Sequence, residues 1–149
     1  MNTKEIIFMA NTKHVYIIGC KGIPAHYGGF ETFVDNLVSR QTSNNIQYHV
    51  ACISDSNKPT EKYHQAECFY INTPPHIRSA RALVYDTLAI KYILKDILTH
   101  NYQDGVIYIL ACRIGPLLKK YIKKFHAVGF KVYVNPDGHE WKSKTAGVC

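Results

Sequence analysis

His14-Val-Tyr-Ile-Ile-Gly19 decides the fold when read together with the loop and helix next to it in the chain. A short β-branched run ended by glycine predicts a buried strand. Next comes Cys20-Lys-Gly-Ile-Pro-Ala-His-Tyr-Gly-Gly29, a loop carrying Gly22, Pro24, Gly28 and Gly29. Phe30, Phe33, Val34, Leu37 and Val38 then recur at i, i+3, i+4, i+7 and i+8, which predicts a helix from Phe30 to about Arg40 with one apolar face. This order of strand, glycine loop and helix puts free N–H groups and the positive end of a helix dipole beside backbone without side chains. That setting suits an anion such as phosphate. The loop does not fit G-x-G-x-x-G and is longer than a tight dinucleotide turn, which argues against nicotinamide and flavin chemistry.

The same alternation continues outward. Strands are predicted at Gln47–Ile53, Glu67–Asn72, Gly105–Leu110 and Lys131–Asn135. The polar stretch from Ser54 to Glu61 reads as a loop, and Pro74 and Pro75 end the third strand. A long helix from about Ser79 to Thr99 comes next, with Ser79 as its N-cap and Ile90, Ile93, Leu94, Ile97 and Leu98 on one stripe. The last helix, Gly115–Ala127, buries Ile114, Leu117, Leu118, Tyr121, Ile122 and Phe125, and Gly129 sits where a closing glycine belongs. Strands alternating with helices imply parallel pairing and right-handed crossovers. The expected architecture is an α/β Rossmann-like doubly wound parallel sheet, three layers α/β/α, in a single domain over residues 1–149. In such sheets ligands bind beyond the C-terminal strand ends at the topological switch point, which directs attention to the loops after the first, fourth and fifth strands.

Bulk composition narrows the class. With 149 residues, 46% apolar and 19% charged, the chain suits one packed domain rather than a disordered one. No apolar run has the length of a membrane span, and Met1–Asn11 lacks a signal-peptide layout, so a soluble cytoplasmic protein is expected. The net charge of +7 fits phosphorylated ligands, an anionic membrane surface or nucleic acid, but no nucleic-acid-binding motif accompanies it. Lys119, Lys120, Lys123 and Lys124 form a basic face opposite the apolar stripe of the last helix, either a solvated face or a contact for anionic lipid. Five cysteines, Cys20, Cys52, Cys68, Cys112 and Cys149, show no CxxC pair, and three of them lie in or beside apolar runs, where cysteine reads as a small core residue rather than a zinc ligand or half of a disulfide. His14, His49, His64, His76, His100 and His126 show no metal-ligand spacing and are taken as structural, and no metal or other cofactor is expected.

Two segments carry a resemblance. Gly22-Ile-Pro-Ala-x-Tyr-Gly-Gly-Phe-Glu-Thr-Phe-Val34 and Tyr133-Val-Asn-Pro-Asp-Gly-His-Glu-Trp-Lys142 resemble the signatures of bacterial rhamnosyltransferase-type proteins of glycosyltransferase family 4. Tyr85-Asp86 and Leu110-Ala-Cys-Arg-Ile-Gly-Pro116 add a weaker third match, and all of these keep the family's order along the chain. The resemblance implies the N-terminal half of a two-domain GT-B enzyme. Such enzymes move a sugar, often rhamnose from dTDP-rhamnose, onto a lipid-linked or saccharide acceptor during capsule or other surface polysaccharide synthesis. By that analogy Gly28, Gly29, Phe30 and Glu31 lie at the donor diphosphate. Arg113 meets an anionic group on the same rim, and Asn135 and Glu140 contact the acceptor. Asp137 and His139 orient the acceptor or take its proton. Peripheral contact with the inner face of a membrane is expected on the same ground, because the acceptors are often membrane-anchored.

The chain departs from the family after Trp141-Lys142, where it runs Ser143-Lys-Thr-Ala-Gly-Val-Cys149. The expectation is a truncated chain, inactive alone, that lacks the donor-binding domain or receives it as a separately encoded chain. Two other readings stay open. One is a non-catalytic Rossmann-like module that binds a phosphorylated ligand or a partner protein. The other is a nucleotide-dependent oxidoreductase with Asp55 on the ribose. The turn chemistry of Asn135-Pro-Asp-Gly138 also has a purely structural explanation.

Overall fold

The computed structural model describes residues 12–111, 113 and 115–135. In chain order the elements are β1 Lys13–Ile18, α1 Gly29–Ser39, β2 Ile46–Ser54, β3 Glu61–Tyr63, β4 Ala66–Asn72, a 3-10 turn Pro75–Ala80, α2 Arg81–His100, β5 Gly105–Ile109, α3 Pro116–Ala127 and β6 Phe130–Val134. The described strands form one six-stranded sheet in the order β3-β4-β2-β1-β5-β6. Every pairing is parallel except β3 with β4. This is the expected α/β Rossmann-like architecture.

Period-two alternation sorts the strand residues onto two faces. On one face Tyr16, Ile18, Ala51, Phe69, Ile107, Ile109 and Phe130 pack under α2 and α3 through Ile90, Ile93, Ile97, Leu118 and Phe125. On the other, Ile17, Val50, Cys52, Cys68 and Leu110 pack against Val34 and Val38 of α1. Both faces are therefore covered, which is why the strands read as near-continuous apolar runs. Cys20, Cys52 and Cys68 are buried free thiols in the α1-side core, as expected of small apolar residues. Cys112 and Cys149 lie outside the described residues.

Three local expectations need correction. The stretch expected as loop ends in β3, whose antiparallel turn onto β4 is made by His64 and Gln65, with His64 at φ +52°. β3 is three residues long, polar and at the sheet edge, where charged side chains such as Glu61 and Lys62 discourage pairing with other chains. Such a strand has no apolar period to recognise. α2 begins at Arg81, with Ala80 in the cap position and no side-chain cap, so Ser79 is not the N-cap. The 3-10 turn beginning at Pro75 takes the chain into the helix instead. The apolar stripes are also narrower than expected: Phe33, Leu98 and Leu117 are exposed. Gly129, at φ +85°, comes just after the end of α3 as foreseen.

Candidate functional site

The sheet order makes β1 the switch point. From β1 the chain moves to β2 and β4 on one side, then α2 carries it back across to β5 and β6 on the other. The crevice beyond β1 and β5 is where such sheets bind ligands. Gly19 stands at this place with φ +101°, and a Cβ on it would come within 2.9 Å of the Ala111 nitrogen. Only glycine lets the two exits lie so close.

Arg113 ties the crevice together. Its Nε donates to Asp86 Oδ2 at 3.0 Å, and its Nη2 donates to the Gly19 carbonyl at 3.0 Å and to Asp86 Oδ1 at 3.4 Å. Asp86 is fully buried, whereas the Arg113 side chain keeps 36% of its surface in solvent. Burial raises the Asp86 carboxyl above the ordinary carboxylate value, and Arg113 pulls against that shift. Beside it the buried Tyr85 hydroxyl is shared between the Cys20 carbonyl at 2.9 Å and the Ala51 carbonyl at 2.7 Å. Burial holds that phenol well above its usual range, so it stays a neutral donor. One turn of α2 thus ties the exits of β1 and β5 to each other and to the body of β2.

The glycine loop is shaped by two carboxylates one turn apart on α1. Glu31 Oε1 accepts from the Lys21 N–H at 2.7 Å, and Asp35 Oδ2 accepts from the Ala25 N–H at 2.8 Å. Tyr63 on β3 donates to the other Asp35 oxygen at 3.0 Å. The buried Glu31 therefore faces the loop's own backbone. Gly28, at φ +115°, is packed against it: a Cβ there would fall 2.0 Å from Glu31 Oε2. Gly29, by contrast, has open space where a Cβ would sit. It opens α1, whose N-terminus carries no side-chain cap. Phe30 is half-buried and packs onto the α1-side core.

A cleft of about 400 Å³ adjoins the loop on the β2 side, lined by Lys21, Ile23, His26, Cys52, Lys58 and Tyr70 among others. The Asn135 N–H bonds to the Ile109 carbonyl at 2.7 Å, which sets Asn135 at the end of β6 on the same rim. Asp137, His139 and Glu140 lie outside the described residues. Asp55, the ribose candidate of the oxidoreductase reading, is paired with Arg81, whose Nε also reaches Thr73 Oγ1 at 3.3 Å. Among the described residues no group of His, Cys, Asp and Glu is arranged to hold a metal ion. No helix of the described residues is long and apolar enough to cross a membrane.

The structure thus brings Gly28, Gly29, Glu31, Arg113 and Asn135 to one edge of the sheet. The sequence did not reveal that Tyr85, Asp86 and Gly19 hold that edge together. Asp86 left a signal: it shares the stripe of Ile90, Ile93 and Ile97, and an acid on a buried stripe demands a cationic partner.

Fold and rim define an α/β domain whose topological switch point lies between β1 and β5. The family model that matches residues 12–147 is described as a domain of unknown function, DUF1972. The chain belongs to that family, a family of N-terminal domains associated with glycosyltransferases. No curated protein and no solved structure matches the chain.

Proposed function

We propose that this chain is the acceptor-side, N-terminal domain of a GT-B glycosyltransferase. The sugar is rhamnose, delivered from dTDP-rhamnose, and the acceptor is a lipid-linked or saccharide chain of a capsule or other surface polysaccharide. The supporting observation is the bridge from Arg113 to Asp86 and Gly19, because it joins at the switch point segments that resemble the transferase signatures separately. The open space at Gly29 and the uncapped start of α1 suit a phosphate of the donor, with Gly28 giving the loop its turn. Asn135, with Asp137, His139 and Glu140, positions the acceptor hydroxyl, and Asp137 or His139 orients it or takes its proton. The residues that stabilise the leaving diphosphate are supplied by a second domain.

Calorimetric titration of the chain with dTDP, UDP, NAD(H) and a prenyl-diphosphate sugar analogue tests this. Weak binding of the acceptor analogue, lost in Arg113→Ala at unchanged fold, is expected, with no binding of free nucleotide. Binding of NAD(H) in place of the acceptor analogue overturns the reading. So does turnover of dTDP-rhamnose by these 149 residues above a blank.

A further inference from the structure

The two helices on one face of the sheet have an unusual charge distribution. α3 carries Lys119, Lys120, Lys123 and Lys124 and no acid, and α2 adds Lys91 and Lys95. All six lysines are exposed, and among the described residues none of them forms an ion pair. The two acids of α2 face other partners. Asp86 is held by Arg113, and Asp96 accepts from the Tyr16 hydroxyl at 2.5 Å and pairs with His100. No carboxylate on these two helices remains to neutralise the lysines. Between the helices runs a groove of about 450 Å³ lined by Lys91, Leu94, Lys95, Leu98, Tyr121 and Lys124. Leu98 is 60% exposed, and Leu117, on α3, is 49% exposed.

We propose that this face of α2 and α3 docks the chain on an anionic lipid surface. Charge complementarity carries the argument. Unpaired lysines favour a surface of negative headgroups, each contributing through a field that fades within a Debye length. Leu98 and Leu117 among those lysines fit the boundary between headgroups and acyl chains, where an amphipathic surface buries its apolar part. Nucleic acid would match the lysines but would offer the leucines only a phosphate backbone. Docking through this face sets the sheet roughly parallel to the membrane. The strand-end rim with Gly29 and Arg113 then lies at the side, accessible both to a membrane-held molecule and to a soluble one. The proposal is independent of which group is transferred.

Vesicle co-sedimentation of the purified chain tests it, with phosphatidylcholine alone and with about 30% phosphatidylglycerol, at ~0.1 M salt. Sedimentation is expected with the anionic vesicles only. The combined variant Lys91→Gln, Lys95→Gln, Lys120→Gln, Lys124→Gln should lower partitioning at least about tenfold. Leu98→Ser with Leu117→Ser should remove the part that resists added salt. Circular dichroism confirms that each variant is folded. Should a variant fail to fold, the wild-type comparison still decides: equal sedimentation with both vesicles, or none with either, overturns the proposal. Tighter binding to duplex DNA than to anionic vesicles at equal phosphate concentration overturns it as well.

Discussion

A carboxylate with no solvent contact stands or falls with its one cationic partner. Asp86 is such a group, and Arg113 reaches it from a loop on the other side of β1. Removing the arginine leaves an uncompensated buried charge, so Arg113→Ala is expected to cost about 3 kcal/mol. The loss should depend on pH with a definite sign. The folded carboxyl is already raised above 3.8 by burial, so the folded state holds its proton to higher pH than the unfolded chain does. Without Arg113 that window extends upward, and the deficit should be larger at neutral pH than at pH 4. Equal deficits in denaturant melts at both pH values would sink the argument. The two adjacent glycines should separate equally clearly. Gly28→Ala meets the Glu31 carboxylate at a positive φ and should lose more than about 1 kcal/mol. Gly29→Ala meets nothing and should change stability by less than about 1 kcal/mol. If Gly29 contacts a phosphate, the alanine should instead weaken binding of the phosphorylated ligand. Thermal melts of both variants separate packing from recognition.

Among the elements, α2 has the widest reach, and its first turns were the least legible. The sequence shows a long helix with an apolar stripe, but nothing in it says that Tyr85 and Asp86 will connect the exits of β1 and β5 with β2. Those contacts are between residues far apart in the chain, and local periodicity carries no information about them. Tyr85→Phe tests the point. It removes the shared donor from the Cys20 and Ala51 carbonyls and should cost about 1–2 kcal/mol by chemical denaturation. A midpoint unchanged from wild type would mean that water serves those carbonyls equally well. β1, β2, β4, β5, β6 and all three described helices were readable because burial on both faces imposes a strong pattern. The edge strand β3 was not, since solvent imposes none on Glu61-Lys62-Tyr63. The glycine loop was legible as a loop, whereas the inward turn of Glu31 onto Lys21 was not. First-turn acids look alike in sequence whether they face a ligand or their own loop.

The whole molecule has a second polar cluster at the opposite ends of the strands. His14 Nδ1 and His49 Nε2 lie 2.9 Å apart, and His49 Nδ1 lies 3.1 Å from Glu67 Oε2. Tyr102 stacks on the His14 ring with centroids 3.6 Å apart. One proton must lie between the two imidazoles, so a second one breaks their bond. Burial, and then the neighbouring His49, lower His14 from 6.5 to about 4. The unfolded chain therefore takes up this proton first, and stability should fall as pH drops from about 6.5 to about 4. Glu67, lowered chiefly by its hydrogen bond with His49, adds to the loss at the acid end. Urea midpoints across that range should decline for the wild type and decline less for His14→Phe, which keeps an aromatic ring against Tyr102. A flat wild-type profile would contradict it.

The position of β1 also bears on the route by which the sheet assembles. Its neighbour β2 is near in sequence, His14 pairing with Gln47, while its other neighbour is remote, His14 pairing with Gly105. Closing the longer loop costs about 1 kcal/mol more chain entropy. Chain entropy therefore favours pairing of the central strand with β2 first and with β5 second. The half holding β1, β2 and β4 is thus expected to pair before the remainder docks, and the crevice at the switch point, which needs both halves, is expected to form late.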